Sequence, residues 1–322
     1  MSDLSTFVAG LPKAELHLHL EGAVSPALFA RLREKYGVPT LDLGGTEAGQ
    51  FPDLAAFLAV YGQVCSCMRD PADFRDTTYA ALERAAASGA RYVELFFSPA
   101  AHEPVIDYRS MVDGIVAGMR AARADFGVIA RLIPAHNREL GLDRGMAFLE
   151  TVLRYRPAEV VGIGLDYAER PHPPAQFAPL FAAARAEGLE VTAHAGEDGP
   201  AAYVRDAIDL LGCRRIDHGY HVVDDPALME RCRELDVLFT VCPTTTLHTT
   251  VWRDLHSPEH AIRRMIEAGL RVTINTDDPG LFATTLNREY TLAAEAFGLS
   301  EATLADIAAN GLKYCWSPEA RP

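Results

Sequence analysis

From position 91 to 275 the chain alternates between short apolar runs rich in β-branched and aromatic residues and longer amphipathic stretches. The apolar runs fall at 91–97, 128–134, 160–165, 189–194, 215–217, 237–241 and 271–275. Between them, 108–125, 143–155, 174–187, 201–211, 226–235 and 258–268 read as helices. An eighth apolar run, 14–22, lies near the N-terminus. Strands that alternate with helices in this way predict a parallel sheet with crossover helices. Eight such units in this length predict a (β/α)8 TIM barrel. The alternative, an open doubly wound sheet, calls for a Gly-rich phosphate loop after its first strand, and none stands there.

Between the first and second strands lies a long helical insertion. Ser25-Pro26 supplies a capping hydroxyl and a proline at the first helical position, and that helix runs to Tyr36 before Gly37. The Gly-rich segment 41–50 reads as a loop, followed by helices over 53–66 and 70–88. An insertion placed here can cover the mouth of a pocket. No repeat, linker or low-complexity tract interrupts the chain, so residues 1–322 are expected to form a single domain.

Composition narrows the function. The chain is 49% apolar, with a net charge of -14. Nucleic-acid binding needs a positive surface, so a small-molecule partner is expected and a nucleic acid is not. No apolar run approaches the roughly 18 residues of a membrane span. The N-terminus lacks a basic region followed by an apolar core, so no export signal is read and a cytoplasmic location is expected. Six cysteines without CxxC spacing read as free thiols rather than a disulfide frame or a cysteine zinc site. Nothing in the sequence reports an oligomeric state.

The polar residues that interrupt the apolar runs sit at strand C-terminal ends, where barrels carry their active sites. His17 and His19, two residues apart on a strand, point to the same face. The fifth strand ends in Thr192-Ala193-His194-Ala195-Gly196-Glu197, the sixth in Asp217-His218-Gly219, and the eighth in Asn275-Thr276-Asp277-Asp278-Pro279. Taken singly, each has an ordinary explanation as a helix cap, a core histidine or a solvated turn. Adjacent buried carboxylates, however, call for a cation or a shared proton. In a barrel these ends converge, so His17, His19, His194 and Asp277 are expected to meet at one ion. Three imidazoles and a carboxylate without a thiolate suit Zn2+, with one position open for water. Zinc lowers the pKa of such a water. His218 is expected to orient or deprotonate it, and Glu197 to protonate the substrate on the opposite side.

These residues resemble the adenosine/adenine deaminase family of the metal-dependent amidohydrolases. The matching segments are Pro12-Lys13-Ala14-Glu15-Leu16-His17-Leu18-His19-Leu20-Glu21-Gly22, His194-Ala195-Gly196-Glu197, Asp217-His218-Gly219 and Asn275-Thr276-Asp277-Asp278-Pro279. The resemblance implies a zinc-dependent deaminase that attacks a 6-aminopurine at C6 and releases ammonia. It implies one zinc per chain on His17, His19, His194 and Asp277, with Asp277 also counted among the catalytic residues. It further implies Glu197 as proton donor to N1, His218 as the residue that orients the attacking water, and Asp278 as partner of N7. Binuclear relatives bridge their metals with a modified lysine at a strand end; no such lysine is evident here.

Which 6-aminopurine is accepted turns on weaker signals. Glu21, and Asp166 followed by Glu169, resemble adenine-type members. Glu169 is expected near N3, where its carboxylate would accept a hydrogen bond from the N9–H of a free base and crowd a ribose. Glu21 and Asp166 are expected beside the substrate. Tyr167-Ala168 and Cys242-Pro243-Thr244-Thr245-Thr246 depart from the adenine-type pattern, and 282–287 resembles the nucleoside enzymes. Adenine is therefore favoured, with adenosine or an N6-modified adenine as alternatives. Of other classes, a zinc hydrolase acting on a different bond and a non-catalytic purine-binding relative remain in play.

Overall fold

The computed structural model describes residues 4–39, 51–103 and 105–321. The loop expected over 41–50 lies outside these residues. After a short helix α1 (Leu4–Gly10) comes β1 (Lys13–His19), followed by three helices, α2 (Pro26–Tyr36), α3 (Leu54–Ser66) and α4 (Pro71–Ala87). The strands β2 (Ala90–Phe97), β3 (Ile129–Asn137) and β4 (Gly162–Asp166) alternate with α5 (Tyr108–Phe126) and α6 (Gly141–Arg154). Then follow α7 (Ala178–Ala186), β5 (Glu190–His194), α8 (Ala201–Asp209), β6 (Arg215–Asp217) and α9 (Pro226–Glu234). The chain ends with β7 (Leu238–Val241), α10 (Pro243–Thr249), α11 (Ala261–Glu267), β8 (Arg271–Ile274), α12 (Leu286–Phe297) and α13 (Glu301–Tyr314).

The eight strands lie in sequence order and every neighbouring pair is parallel. This is the expected (β/α)8 barrel. Parallel strands covered on both sides need apolar residues on both faces, and β1, β4, β6 and β7 are buried along their whole length. The predicted helix starts are built as the sequence implied. Ser25 accepts from Leu28 N at 3.3 Å, Gly37 closes α2 with φ 62°, and Asp70 with Asp73 forms a capping box on α4.

Several elements differ from expectation. The Thr-rich stretch after β7 forms α10, although β-branched residues are poor helix formers. Helices α1, α12 and α13 were not located beforehand; the last two are capped by Thr285 and Ser300. The helix expected over 174–187 is divided into a 3-10 turn, Pro174–Phe177, and α7. The first strand ends at His19 rather than at 22: after its last rung to β2, Leu20 N to Phe96 O at 2.9 Å, the chain turns and Ala23 N donates to His19 O at 2.9 Å.

The barrel closes between β8 and β1 by an unusual seam. Leu16 N donates to the Asn275 side-chain oxygen at 2.8 Å. Further along, His19 N donates to Asp277 O at 2.8 Å and Asp277 N donates to His17 O at 3.1 Å. Thr276 joins the same seam through its hydroxyl, which donates to the buried Glu15 carboxyl. Among the described residues, no helix is long and apolar enough to cross a membrane.

Asn275→Ala removes the acceptor for Leu16 N and leaves a buried N–H unpaired. It should lower unfolding free energy by about 1–3 kcal/mol, read by denaturant titration of the metal-loaded protein.

Candidate metal and active site

The strand ends deliver the predicted residues to one place. His17 and His19 come from the end of β1, His194 from β5, His218 from just beyond β6, and Asp277 from the turn after β8. Three residues of this mouth, Tyr167, His218 and Asp277, have φ between 64° and 67° without being glycine. Such backbone costs free energy and is held by its surroundings, a pattern that concentrates at functional sites.

The donor atoms form a tight cluster. His17 Nε2 lies 3.2 Å from His19 Nε2, which lies 3.2 Å from His194 Nε2. Asp277 Oδ1 is 3.1 Å from His17 Nε2 and 3.5 Å from His19 Nε2. Ligand atoms around one zinc with bonds of about 2.0–2.2 Å stand about 3 Å or a little more apart. These four edges match that spacing and His194 and Asp277 lie within 4.8 Å of each other, so the four residues fit one zinc ion with that wider edge left for a water. His218 belongs to the same neighbourhood, since His17, His194, His218 and Asp277 each bring a donor atom within 4.8 Å of the others. Its Nε2 nonetheless stands off, 3.9 Å from Asp277 Oδ2 and 3.7 Å from Glu197 Oε2. That position suits a group beside the ion better than one bound to it.

The far side of each imidazole is also anchored. His194 Nδ1 faces Leu165 O at 3.1 Å, which assigns the proton to Nδ1 and leaves Nε2 free to bind. His17 Nδ1 meets Thr240 Oγ1 at 2.9 Å; that hydroxyl donates to Asp217 Oδ1 at 2.9 Å, and Thr192 donates to Asp217 Oδ2 at 2.8 Å. His218 Nδ1 faces the Tyr220 hydroxyl at 3.2 Å, so its Nε2 is the free nitrogen. Thr245 donates to Asp277 Oδ2 at 2.8 Å, and Thr249 donates to Glu197 Oε1 at 2.6 Å. These threonines were not anticipated. Their one sequence signal is that Thr245 and Thr249 are four apart, hence on one face of α10.

Burial sorts the charges. Against the opposing effect of burial, the Asp277 and Asp217 carboxylates raise the His17 pKa to about 10, so the cluster without an ion takes up a proton instead. Burial pushes His19 down to about 4. Asp277 is held well below the usual carboxylate range despite burial, chiefly by His17. Burial and the Asp277 charge push its neighbour Asp278 well above that range. Burial, then Asp277, raises Glu197 to about 8. One aspartate of the pair is thus charged and the other protonated.

The cluster opens into a cavity walled by Glu197, His218, Asp166, Tyr167, Asp278 and the α3 side chains Leu54, Phe57, Leu58 and Tyr61. Helix α3 of the insertion thus lines the cavity. Two buried carboxyl oxygens on this wall, Asp166 Oδ1 and Asp278 Oδ1, have no hydrogen-bond partner among the described residues. Asp278 fits only because Gly22 has no side chain: a Cβ there would stand 1.6 Å from Asp278 Oδ1.

Two expectations for the wall need correction. Glu21 is buried beside the cavity but does not line it; its oxygens accept from Ser98 N at 3.0 Å, His102 Nε2 at 2.9 Å and Tyr61 OH at 3.0 Å. Glu169 also stays off the wall, because its carboxylate is taken up by backbone N–H groups of the loop after β5. Every oxygen of the two carboxylates already accepts from a protein donor. His136 caps Gly141 O at 3.0 Å and sits in a different cavity, and Trp252 packs on Tyr220 and His221.

A parallel barrel with a His/Asp metal cluster and a buried acid at its C-terminal mouth defines a metal-dependent hydrolase of the amidohydrolase type. The adenosine deaminase family model matches residues 12–321, and the chain belongs to that family. It is 40% identical over 314 residues to the adenine deaminase of Chlorobium luteolum, covering 96% of this chain and 91% of that one. It is 38% identical over 319 residues to the adenine deaminase of Rhodospirillum rubrum, covering 98% and 95%. Among solved structures, the adenine deaminase of Arthrobacter aurescens superposes with a TM-score of 0.90 at 34% identity over 97% of this chain and 95% of that one. An amidohydrolase from Burkholderia ambifaria with bound zinc gives 0.91 at 35% identity, covering 99% and 90%.

Thr240→Val removes the hydroxyl between His17 Nδ1 and Asp217 and leaves only the longer direct approach of Asp217 Oδ1 to His17 Nδ1 at 3.5 Å, without touching a metal-binding atom. Zinc affinity should fall about 10–100-fold in a chelator-competition titration, with the fold retained by circular dichroism.

Proposed function

We propose that this protein hydrolyses adenine to hypoxanthine and ammonia, acting in the cytoplasm as one domain with one zinc per chain on His17, His19, His194 and Asp277. The observation that carries the reading is the pairing, in one cavity, of a His/Asp cluster at metal-ligand spacing with the acid Glu197, which burial keeps protonated near neutral pH. Relatives named adenine deaminase along nearly the whole chain support adenine as the substrate.

Zinc, when bound, supplies Lewis-acid activation of the attacking water. The protein's own groups account for the remainder. His218, with Nδ1 engaged by Tyr220, presents a bare Nε2 that accepts a hydrogen bond from the water and aims it at C6. Glu197 gives its proton to N1, so the ring can accept electrons as the C6–O bond forms. The tetrahedral C6 then collapses with loss of the amino group as ammonia; of the two water protons, one completes the ammonia and the other restores the Glu197 carboxyl. Ring nitrogen N7 is an acceptor, so its partner must donate. Asp278, protonated through burial beside Asp277, does so from the wall.

Those assignments leave the N3/N9 edge. With Glu169 and Glu21 occupied elsewhere, the unpartnered Asp166 Oδ1 is the acceptor available to N9–H, a donor that adenosine lacks. Ser98 holds the other oxygen at 2.6 Å. An absent partner at a buried polar site discriminates strongly, which favours the free base.

Three outcomes test this reading. Glu197→Gln should keep its zinc and lose about 100- to 10,000-fold in kcat on adenine, followed as ammonia release; loss of metal instead would remove the proton-donor role. The wild-type rate should fall as pH rises, because Glu197 must be protonated. An ion on the adjacent ligands draws its pKa downward, so the alkaline limb should lie at or below about pH 8. Asp166→Ala should lower kcat/KM for adenine about 10–100-fold while leaving any trace activity on adenosine unchanged, compared in parallel steady-state assays.

A further inference from the structure

Glu169 was expected to read the substrate, but the structure gives it another task. Its Oε2 accepts from Gly196 N at 2.8 Å, and its Oε1 accepts from Glu197 N at 2.6 Å and Asp198 N at 3.2 Å. Three consecutive peptide N–H groups thus converge on one buried carboxylate, an anion nest formed where Gly196 turns left-handed at φ 83°. The middle residue of the three is the proposed proton donor.

The surroundings are arranged around this contact. A Cβ on Gly199 would stand 2.4 Å from Glu169 Oε2, so only glycine lets the carboxylate reach the loop. His172 N donates to Glu169 O at 2.7 Å, folding the loop after β4 back on itself. Arg170 Nε donates to Asp198 O at 2.7 Å, a second tie between the two loops. Beneath them the fully buried Arg138 donates to Asp166 O at 3.2 Å and also to His194 O, joining the ends of β4 and β5. Glu197 is therefore held from two sides, by Thr249 at its carboxyl and by Glu169 at its backbone.

We propose that Glu169 is a positioning residue for the proton donor: it fixes the backbone of Gly196-Glu197-Asp198 and acts on turnover through Glu197, without touching the substrate. The proposal rests on the reading of Glu197 as the acid. A carboxylate accepts from all three N–H groups, whereas a carboxamide offers one oxygen and turns an NH2 toward the remaining donors. The cost falls on the aim of Glu197, and small misplacements of a reacting group are expensive in rate.

The test uses the zinc-loaded full chain, with metal content measured for every variant. Glu169→Gln should lower kcat on adenine about 10–100-fold, keep KM within about twofold and leave bound zinc unchanged. In a Glu197→Gln background, where no acid remains to be aimed, Glu169→Gln should cost nothing more. A further tenfold loss in that double variant would make Glu169 a general structural brace and overturn the proposal. So would an unchanged kcat with an altered KM, or a changed preference between adenine and adenosine. Should Glu169→Gln fail to fold, Glu169→Asp keeps the charge and shortens the reach; it should lose less kcat and likewise add nothing to Glu197→Gln. Failure of wild-type protein to deaminate adenine overturns the underlying reading instead, whatever the variants do.

Discussion

Closing eight parallel strands into a barrel obliges the last strand to meet the first, and here that meeting is made largely by Asp277. Its backbone N–H and carbonyl engage His17 O and His19 N, taking over from the ladder where β8 has ended. Its side chain turns the other way and places Oδ1 against the two imidazoles of those same residues. One residue in a left-handed conformation therefore joins the seam and completes the metal cluster. The strain of that conformation is tolerable because both functions depend on it. The cluster is therefore built on the barrel's own closure, which suits a site whose donor atoms must hold their positions closely.

Concentrating carboxyls in so small a space raises the question of how they avoid one another. Two adjacent buried carboxylates cannot both be charged in a medium of low dielectric. The histidines settle the matter in favour of Asp277, leaving Asp278 and Glu197 to keep their protons. The result is chemically apt. The ring nitrogens N1 and N7 of a 6-aminopurine are acceptors, so a wall of ionised carboxylates would repel them. Burial converts acidic side chains into donors without introducing a cation that would compete with the metal.

Much of the architecture was legible because buried parallel strands write themselves as unbroken apolar runs, and the polar residues that end those runs mark the mouth of the barrel. Hence the ligand histidines, Glu197, His218 and the aspartate pair could be named, and the structure brings them together. The insertion was readable from its caps, such as Ser25 and Asp70. Helix α10 was not, since Thr244-Thr245-Thr246 carries neither apolar periodicity nor helix propensity; tertiary contacts decide it. The aim of Glu21 and Glu169 was hidden for a different reason. Their spacing places them correctly at strand ends, but Glu169 is captured by backbone N–H groups, which leave no trace in side-chain identity, and Glu21 by Ser98 N with the side chains of Tyr61 and His102, whose approach only the folded insertion and β2 end bring about.

That distinction separates the acids of this site more sharply than position does. Glu21, Glu169 and Asp217 are buried near the cluster, and each has both oxygens committed to protein donors. Asp166 and Asp278 lie at similar depth, and each keeps an oxygen that nothing described here satisfies. A buried polar atom without a partner costs free energy, and on a cavity wall it marks a place where a bound group can complete the set. The fully partnered acids are therefore scaffold, holding Tyr61, the Glu197 loop and His17 in place. The incompletely partnered ones belong to the cavity wall. On the reading proposed above, substrate recognition falls to Asp166 and Asp278, and Glu169 acts from behind the proposed proton donor.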